Sequence, residues 1–345
     1  MSEILNFSGS PLIINRKLDV IIPSFNRPAR LYNILESALK LKINDMFLVV
    51  IDDGSTLEET VKDYGKLSTL EVCQKFKSQN IIYYRNKKNS GLAASWNIFY
   101  NKVCTAKYTL SVTDKDEFID GKSIKEALNL MDENDNISVS LIPLRQLDRS
   151  QNDYNFIFKY KGQMSGKDFL YHYVRDTTLM HCSMWGIYRL KDKGRLNKPR
   201  SLNLWSYGLD DTFGVDLDFV WNAVSRGDVY FFESPHVKRS TVDGGTERYP
   251  LTFAYTYYQY AKRITNELHH RKIIDTSTLK IYRYMWLTLI LNGFIVSINH
   301  VHGSEKEVGR SRIGKHLKIP VIVYALKEAI VNKIMLKGPL MDAFK

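Results

Sequence analysis

Two aspartates at the end of an apolar segment are the first residues here whose type and spacing could do chemistry. Asp114 and Asp116 follow Tyr108–Thr113, a run with the character of a buried strand. Paired carboxylates at a strand end could hold a divalent cation, since Mg²⁺ and Mn²⁺ prefer carboxylate oxygens. They could equally form an ordinary turn before a helix that begins near Gly121. The pair alone leaves both interpretations open.

Three upstream segments place similar polar clusters after predicted strands. SFNR follows Leu18–Pro23, DDGS follows Met46–Ile51, and NKKNSG follows Ile81–Tyr84. Helical patterns separate these strands, the clearest being Pro28–Lys40. Alternating strands and helices at this spacing predict an α/β fold with a parallel sheet and right-handed crossovers. Ligands bind beyond the carboxyl ends of such strands, so we expect the four clusters to meet in one crevice.

The composition is that of a globular protein with a substantial core. Of the 345 residues, 44% are hydrophobic and 25% are charged, which excludes wholesale disorder. Three cysteines, Cys73, Cys104 and Cys182, lack CxxC spacing, which favours a reducing compartment over a disulfide framework or a zinc site. The start, MSEILNFSGS, lacks a signal-peptide pattern, so a cytoplasmic location is expected.

The positive charge of the chain is concentrated near its end. The formal net charge is +12, and residues 250–345 hold fifteen Lys and Arg against six Asp and Glu. Such a segment could meet nucleic acid, anionic lipid or a phosphorylated ligand. Tyr284–Ile298 is mostly apolar but short for a membrane span. A buried helix, a contact between copies of the chain and an interfacial helix on a membrane surface all stay open.

The remaining segments continue the α/β pattern and then become helical. Helices are predicted at Gly121–Glu133, Ser165–Arg175 and Thr212–Gly227, strands at Ile137–Ile142, Cys182–Leu190 and Asp228–Glu233, and a polar loop at His236–Pro250. The upstream segments Leu57–Lys77 and Ala93–Val103 also have helical patterns, and from Leu251 onward the pattern is helical throughout.

The motifs together resemble the family 2 glycosyltransferases of the GT-A fold. VIIPSFNRPARL, VVIDDGST, NSGLAASWN and TDKDEF occur in the family's order, and GVDLDFVWNAVSRG resembles its acceptor-side helix. The resemblance covers about residues 18–240 and implies a single Rossmann-like, mainly parallel sheet flanked by helices, with a C-terminal helical extension. It also implies an N-terminal lead (1–17), a catalytic domain (18–249) with nucleotide-binding (18–120) and acceptor (121–249) halves, and a basic helical region (250–345).

The resemblance also assigns residues to the donor and to a metal ion. Asp116 is implied as the direct ligand of Mn²⁺ or Mg²⁺, Asp114 as a ligand of the metal or of ribose, and His236 as a further metal ligand. The residues implied to bind the nucleotide sugar are Ser24, Asn26, Arg27, Asp52, Asp53, Asn89, Gly91 and Asp114.

The general base is expected on the acceptor side. Asp216 matches the second acidic position of the family's pair there, although Val215 stands where a glutamate is usual. Asp218, Asp210 and Asp211 stay open as alternatives. Lys115, between the two aspartates, also departs from the family pattern. Either it points away from the site or it touches a phosphate.

The resemblance implies a metal-dependent, inverting transfer of sugar from a nucleoside diphosphate to a hydroxyl of a saccharide or lipid-linked saccharide. The implied setting is O-antigen, capsule or another surface polysaccharide, at the cytoplasmic face of the inner membrane, with peripheral membrane contact through the C-terminal region and homo-oligomerisation both open. No nucleic acid is expected. The alternatives are a nucleotidyltransferase acting on a sugar phosphate, against which the glycine-free SFNRPAR argues, and a non-catalytic module that binds saccharide or nucleic acid.

Overall fold

The chain forms two compact units, Met1–Asp243 and Gly244–Lys345. The computed structural model describes residues 4–7, 16–56, 67–77, 79–147, 153–173, 179, 183–192, 195–196, 220, 223–240, 265–266, 268–270, 272, 274–280 and 282. The boundary between the units lies a few residues before the predicted boundary at 249/250. Most of the predicted C-terminal helical region lies outside the described residues, and the division into nucleotide and acceptor halves stays a prediction.

The first unit alternates strands and helices and then becomes rich in strands. Its strands are β1 (Ile4–Asn6), β2 (Leu18–Ser24), β3 (Met46–Asp52), β4 (Ile81–Arg85), β5 (Tyr108–Ser111), β6 (Asp116–Phe118), β7 (Ile137–Leu141), β8 (Leu144–Leu147), β9 (Asp153–Phe156), β10 (Gly162–Met164), β11 (Ile187–Arg189), β12 (Lys191–Asp192), β13 (Arg195–Leu196), β14 (Asp228–Phe231) and β15 (Val237–Ser240). Its helices are α1 (Pro28–Lys40), α2 (Thr69–Gln74), α3 (Leu92–Ile98), α4 (Lys122–Glu133) and α5 (Gly166–Tyr173).

A large central sheet organises the described part of this unit. Its nine strands lie in the order β1-β4-β3-β2-β5-β11-β7-β14-β10. Strands β4, β3, β2 and β5 are parallel, as predicted, whereas β11 runs antiparallel to both of its neighbours, β5 and β7. The second half of the sheet is therefore mixed. The sequence could not predict the reversed direction of β11, because an apolar run indicates where a strand lies but not its direction.

The core strands are buried on both faces, which explains their continuous apolar sequence. Every residue of β3 is buried, and the apolar residues of β2 that precede its proline are fully buried. Helix α1 begins with Pro28 in its first turn and turns Leu31, Ile34, Leu35 and Ala38 inward. Its predicted bounds, Pro28–Lys40, are confirmed.

A second, small sheet was not predicted from the sequence. It has the order β6-β15-β8-β9, and β6 pairs antiparallel with β15. The predicted loop His236–Pro250 is therefore wrong at its start, where β15 forms. Strands of three or four residues are too short for their period to show in the sequence. Helix α1 packs against β6 and joins the two sheets at this point.

Two predicted elements are divided in the structure. The predicted helix Ala93–Val103 consists of α3 followed by a π-helical turn, Phe99–Val103. The predicted strand Cys182–Leu190 contains a 3₁₀ turn, Ser183–Trp185, before β11 begins. The 3₁₀ turn matters for the site, because it brings the Trp185 indole N–H within hydrogen-bond distance of Asp116.

Candidate active site

The polar clusters after β2, β3 and β4 lie at one edge of the central sheet, as predicted. Ser24 pairs with Asp52 in the parallel register of β2 and β3, and Asp52 pairs with Arg85 on β4. The backbone continues these links beyond the strands, since the amide of Asp53 donates to the Ser24 carbonyl at 2.9 Å. The amide of Asn86 donates to the Asp52 carbonyl at 2.8 Å.

Asp52 is held inside the turn that follows β3. Its Oδ1 accepts the Ser55 amide at 2.8 Å, and its Oδ2 accepts the Tyr83 hydroxyl at 2.6 Å. The Arg85 guanidinium lies 3.6 Å from Oδ2 and also donates to the Ser55 carbonyl. Asp52 is 2% exposed, so its carboxylate is an internal part of this turn.

Asp53 joins the turn after β3 to the loop before α3. Its Oδ1 accepts hydrogen bonds from the Asn86 side chain at 2.7 Å and from the Ser90 amide at 2.9 Å. Its Oδ2 accepts the Gly91 amide at 2.7 Å. Burial raises the pKa of this carboxyl, and the three hydrogen bonds oppose that rise. The close approach of the two loops depends on Gly54, which has φ of +76°.

Asn26 ties the loop after β2 to the same turn. Its backbone φ is +55°, its amide donates to Ser55 Oγ at 2.9 Å, and its Oδ1 accepts the Thr56 amide at 2.8 Å. Ser24 is 3% exposed, and its hydroxyl has no partner among the described residues. An unpartnered buried hydroxyl beside this turn is available to a bound ligand.

The predicted residues at the start of α3 are close to Asp53. Gly91 caps the helix with φ of +87°, and its amide approaches Asn89 Oδ1 at 3.2 Å as well as Asp53. Asn89 is exposed at the rim of this loop. Asn97, further along α3, has a buried amide without a partner among the described residues. Their roles toward a ligand stay predictions.

Asp114 is paired with Arg27, the arginine that was predicted to bind the nucleotide sugar. Arg27 Nη1 lies 3.3 Å from Asp114 Oδ1, which links the loop after β2 to the segment after β5. Asp114 is 7% exposed. Burial raises the pKa of its carboxyl, while the charge of Arg27 opposes the rise.

Asp116 has one satisfied oxygen and one orphaned oxygen. Its Oδ2 accepts the Thr113 amide at 2.6 Å, the Thr113 hydroxyl at 3.0 Å and the Trp185 indole N–H at 2.8 Å. Its Oδ1 is buried and has no partner among the described residues. Burial raises the pKa of this carboxyl, which the charge of Arg239 opposes. A buried carboxylate oxygen without a donor is the atom that a cation or ligand donor would satisfy.

Trp185 links Asp116 to a cation on the neighbouring strand. Arg239 lies opposite Asp116 in the antiparallel pairing of β15 with β6. The Arg239 guanidinium stacks 4.6 Å from the centre of the Trp185 ring, within the range of a cation–π interaction. Trp185 is 2% exposed, so the ring that contacts both Asp116 and Arg239 is buried.

Lys115 lies between the two aspartates in the chain, and charged residues surround it. The residue is half-buried. Burial lowers the pKa of its ammonium, and the charges of Arg27, Arg239 and Arg30 lower it further, whereas Asp114 raises it. Whether Lys115 points away from the site or touches a phosphate stays a prediction.

His236 is a core residue at the start of β15. It is fully buried against the Phe118 ring, and burial lowers the pKa of its imidazole to about 3. The carbonyls of Pro143 and Trp185 favour its charged form, but neither meets a ring nitrogen with ordinary hydrogen-bond geometry. Within the described residues, no three His, Cys, Asp or Glu side chains converge as a metal site would require. His236 as a metal ligand stays a prediction.

The predicted general base lies outside the described residues. This holds for Asp216 and for its alternatives Asp218, Asp210 and Asp211. The sequence also gave no role to Thr113, Asn86 or Tyr83, whose hydrogen bonds hold the site carboxylates. A hydroxyl or amide near a DxD or DDGS motif is a weak signal, because such partners become visible only when the strands are aligned.

The fold is that of the GT-A class. S. aureus TarS 1-349 superposes with a TM-score of 0.57 at 17% identity, over 92% of this chain and 80% of that one. A second TarS structure, in complex with UDP-GlcNAc, gives a TM-score of 0.55 at 18% identity, over 85% of this chain and 76% of that one. The predicted GT-A fold is thereby confirmed.

The sequence family follows from a direct match. Glycosyl transferase family 2 matches residues 19–191, half of the chain, and the chain belongs to this family. It is 31% identical over 132 residues to an uncharacterized glycosyltransferase of Rickettsia felis, over 38% of this chain and 20% of that protein. It is also 31% identical over 121 residues to the poly(ribitol-phosphate) beta-N-acetylglucosaminyltransferase TarP of Staphylococcus aureus, over 34% of each chain.

The curated relatives are longer than the region they share with this chain. The chain spans 20% of the length of the Rickettsia felis protein and 34% of the length of TarP. Within the described residues, no helix combines the length and apolar character needed to cross a lipid bilayer.

Proposed function

We propose that this protein is a metal-dependent, inverting glycosyltransferase. It moves a sugar from a nucleoside diphosphate to a hydroxyl of a saccharide or lipid-linked saccharide. The observation that carries the proposal is the orphaned, buried Oδ1 of Asp116, next to the Asp114–Arg27 pair. Family membership supplies the reaction class.

The nucleoside is proposed to bind at the turn after β3. Asp52 and Asp53 supply carboxylate oxygens there, and each oxygen can accept a further hydrogen bond from a base N–H or a ribose hydroxyl. Ser24 adds a buried hydroxyl without a partner among the described residues. Asn26 and Asn89 flank the turn and would help to enclose the nucleoside.

The residues present fit a divalent cation. Asp116 Oδ1 and the Asp114 carboxylate are the proposed ligands, and Mg²⁺ or Mn²⁺ commonly takes one or two carboxylates together with phosphate oxygens and water. When bound, the ion would act as a Lewis acid for the charge that builds up on the leaving diphosphate. Asp116 would be held in place by Thr113 and Trp185.

The transfer itself is a substitution at the anomeric carbon. The acceptor oxygen forms a bond to that carbon while the bond to the diphosphate oxygen breaks, and the electron pair leaves with the diphosphate. Arg27, whose guanidinium lies 3.3 Å from Asp114, would pair with the diphosphate and orient it. The acceptor proton passes to a general base, for which Asp216 is proposed.

The cellular setting is proposed from the family resemblance and the composition. Synthesis of O-antigen, capsule or another surface polysaccharide at the cytoplasmic face of the membrane is compatible with the basic residues after Pro250. A UDP-sugar is the first donor to test, because a TarS structure on the same fold holds UDP-GlcNAc.

A thermal-shift screen tests the proposal. The purified protein is heated with UDP, GDP, CDP or dTDP, each with Mn²⁺ or with EDTA. We expect one nucleotide to raise the melting temperature with Mn²⁺ and much less with EDTA, because a ligand that binds only the folded state stabilises it. The same nucleotide sugar should then release its diphosphate in the presence of an acceptor extract, and EDTA should stop this release until Mn²⁺ or Mg²⁺ is restored.

Asp116→Asn and Asp120→Asn provide a matched pair for this screen. Asp116→Asn should lose the metal-dependent shift while melting near the wild-type temperature. Asp120 is an exposed carboxylate that caps the Lys122 amide at 2.8 Å, so Asp120→Asn should keep the full shift. A protein stabilised by none of the four nucleotides would contradict the proposed function.

A further inference from the structure

Arg239 and Asp116 carry opposite charges on one face of the small sheet, yet they form no ion pair. The two residues lie directly opposite each other in the antiparallel pairing of β15 with β6, so their side chains share a face. Opposite charges in such a position commonly contact each other. Here Asp116 Oδ1 is buried and has no partner among the described residues. An anionic oxygen and a guanidinium are thus both left to meet a ligand.

The indole of Trp185 holds both residues, each at a different part of the ring. Its N–H, at the ring edge, donates to Asp116 Oδ2 at 2.8 Å. The central carbon of the Arg239 guanidinium lies over the ring face, 4.6 Å from its centre. A guanidinium bound through its face keeps the N–H groups at its edge for other partners. The described residues supply no hydrogen-bond acceptor or carboxylate for those N–H groups of Arg239, which is half-buried.

A metal ion that carries a phosphate fits between an orphaned carboxylate oxygen and a guanidinium. A divalent cation on Asp116 Oδ1 would keep coordination positions for phosphate oxygens. The planar N–H fork of arginine matches two phosphate oxygens, and hydrogen bonds between ions are stronger than those between neutral groups. The metal and the phosphate together would satisfy Asp116 and Arg239, which do not satisfy each other.

The positions of two arginines distinguish the two phosphates of a nucleoside-diphosphate donor. Arg27 lies in the loop after β2, next to the proposed nucleoside site, with its guanidinium 3.3 Å from Asp114. Arg239 belongs to β15 of the small sheet, opposite Asp116. A nucleotide sugar runs from its nucleoside through the α-phosphate to the β-phosphate and the sugar. The arginine on the other sheet from the nucleoside would therefore meet the β-phosphate.

We propose that Arg239 binds the β-phosphate of the donor and stabilises the charge that this phosphate gains when the sugar leaves. This inference rests on the proposed function and adds a residue to the same site. When the bond between the anomeric carbon and the diphosphate oxygen breaks, its electron pair stays on the β-phosphate, which gains one negative charge. A guanidinium already held over a buried ring meets that charge with little rearrangement.

Titration with UDP and with UMP, each with Mn²⁺, tests this inference, because only UDP has a β-phosphate. We expect wild type to bind UDP more tightly than UMP. Arg239→Gln should weaken UDP binding about tenfold or more, since hydrogen bonds to charged groups commonly contribute that much, and should leave the affinity for UMP unchanged. Arg239→Lys keeps the charge but not the fork, so it should weaken UDP binding less and again spare UMP. If the thermal-shift screen favours another base, its diphosphate and monophosphate replace UDP and UMP.

Lys238 provides the matched control. It neighbours Arg239 on β15 and lies opposite Glu117, on the other face of the small sheet. Lys238→Gln should bind UDP as wild type does, and melting temperatures check that all variants fold. Normal UDP affinity in Arg239→Gln, or equal losses for UDP and UMP in both Arg239 variants, would overturn the inference alone. Failure of wild type to bind any nucleotide would instead contradict the proposed function, and the inference with it.

Discussion

The indole nitrogen of Trp185 donates a 2.8 Å hydrogen bond to Oδ2 of Asp116, and the other carboxylate oxygen has no partner among the described residues. Two donors of Thr113 meet the same Oδ2. These hydrogen bonds therefore fix the orientation of the Asp116 carboxylate. Oδ1 is the oxygen left to bind a ligand. Residues that orient a ligand in this way commonly matter as much as the ligand itself.

Trp185→Phe removes the indole N–H and keeps an aromatic ring beneath Arg239. We expect Asp116 to lose part of its orientation and the affinity for Mn²⁺ in the presence of nucleotide to fall about tenfold or more. Calorimetric titration of Mn²⁺ measures this, with melting temperature as the control for folding. Unchanged Mn²⁺ affinity would show that the indole only fills space.

Asp53→Asn changes the carboxylate that joins two loops of the site. One of its oxygens becomes an NH₂ group that faces amide donors, so at least one hydrogen bond with Asn86, Ser90 or Gly91 is lost. We expect a loss of about 2 kcal/mol in the free energy of unfolding. Nucleotide binding should weaken as well. Denaturant unfolding measures the first effect, and wild-type stability in the variant would contradict the structural role.

His236 should make the protein sensitive to mild acid. Its folded pKa of about 3 lies below the ordinary value of 6.5, so the unfolded chain binds the proton more tightly between these values. Stability is therefore retained above pH 6.5 and falls as the pH drops through this window. Between pH 7 and pH 5, wild type should lose about 2 kcal/mol more than His236→Gln. Urea unfolding of both proteins at both pH values provides the comparison. Equal losses of unfolding free energy in the two proteins would show that a group other than His236 causes the sensitivity to acid.

Gly54→Ala and Gly162→Ala form a matched pair, since both glycines have positive φ, +76° and +67°. A Cβ at Gly54 would lie 2.5 Å from the backbone carbon of Lys88, whereas a Cβ at Gly162 meets nothing within 4 Å. Gly162→Ala should cost about 1 kcal/mol from backbone strain alone. Gly54→Ala should cost about 3 kcal/mol or more and weaken nucleotide binding. Thermal unfolding compares the two variants. Equal losses of stability would show that the loop before α3 can move away from an added Cβ at little cost in free energy.

The sequence predicted the parallel half of the sheet well because its signals are local. Buried strands appear as continuous apolar runs, and α1 has both a proline in its first turn and a regular apolar face. The convergence of Asp52 and Ser24 then follows from parallel pairing. These features need no information about distant parts of the chain.

What the sequence could not predict depends on pairings between distant residues. The link from Trp185 to Asp116 spans 69 residues, and the pairing of Arg239 with Asp116 needs β15, which has only four residues. Lys115 lies just before β6, and a strand of three residues has no pattern from which the direction of its side chain could be predicted. His236 illustrates the same limit, since nothing in its neighbours indicates that it is fully buried.

The site carboxylates are distributed over two sheets, with Asp52 ending β3 of the central sheet and Asp116 beginning β6 of the small one. A nucleotide sugar bound as proposed would lie across the seam, with its base on one framework and its phosphates on the other. The distance between the proposed base site and the proposed phosphate site is then set by how the two sheets pack on each other. A substitution between the sheets, far from any ligand, could therefore weaken donor binding by changing that distance.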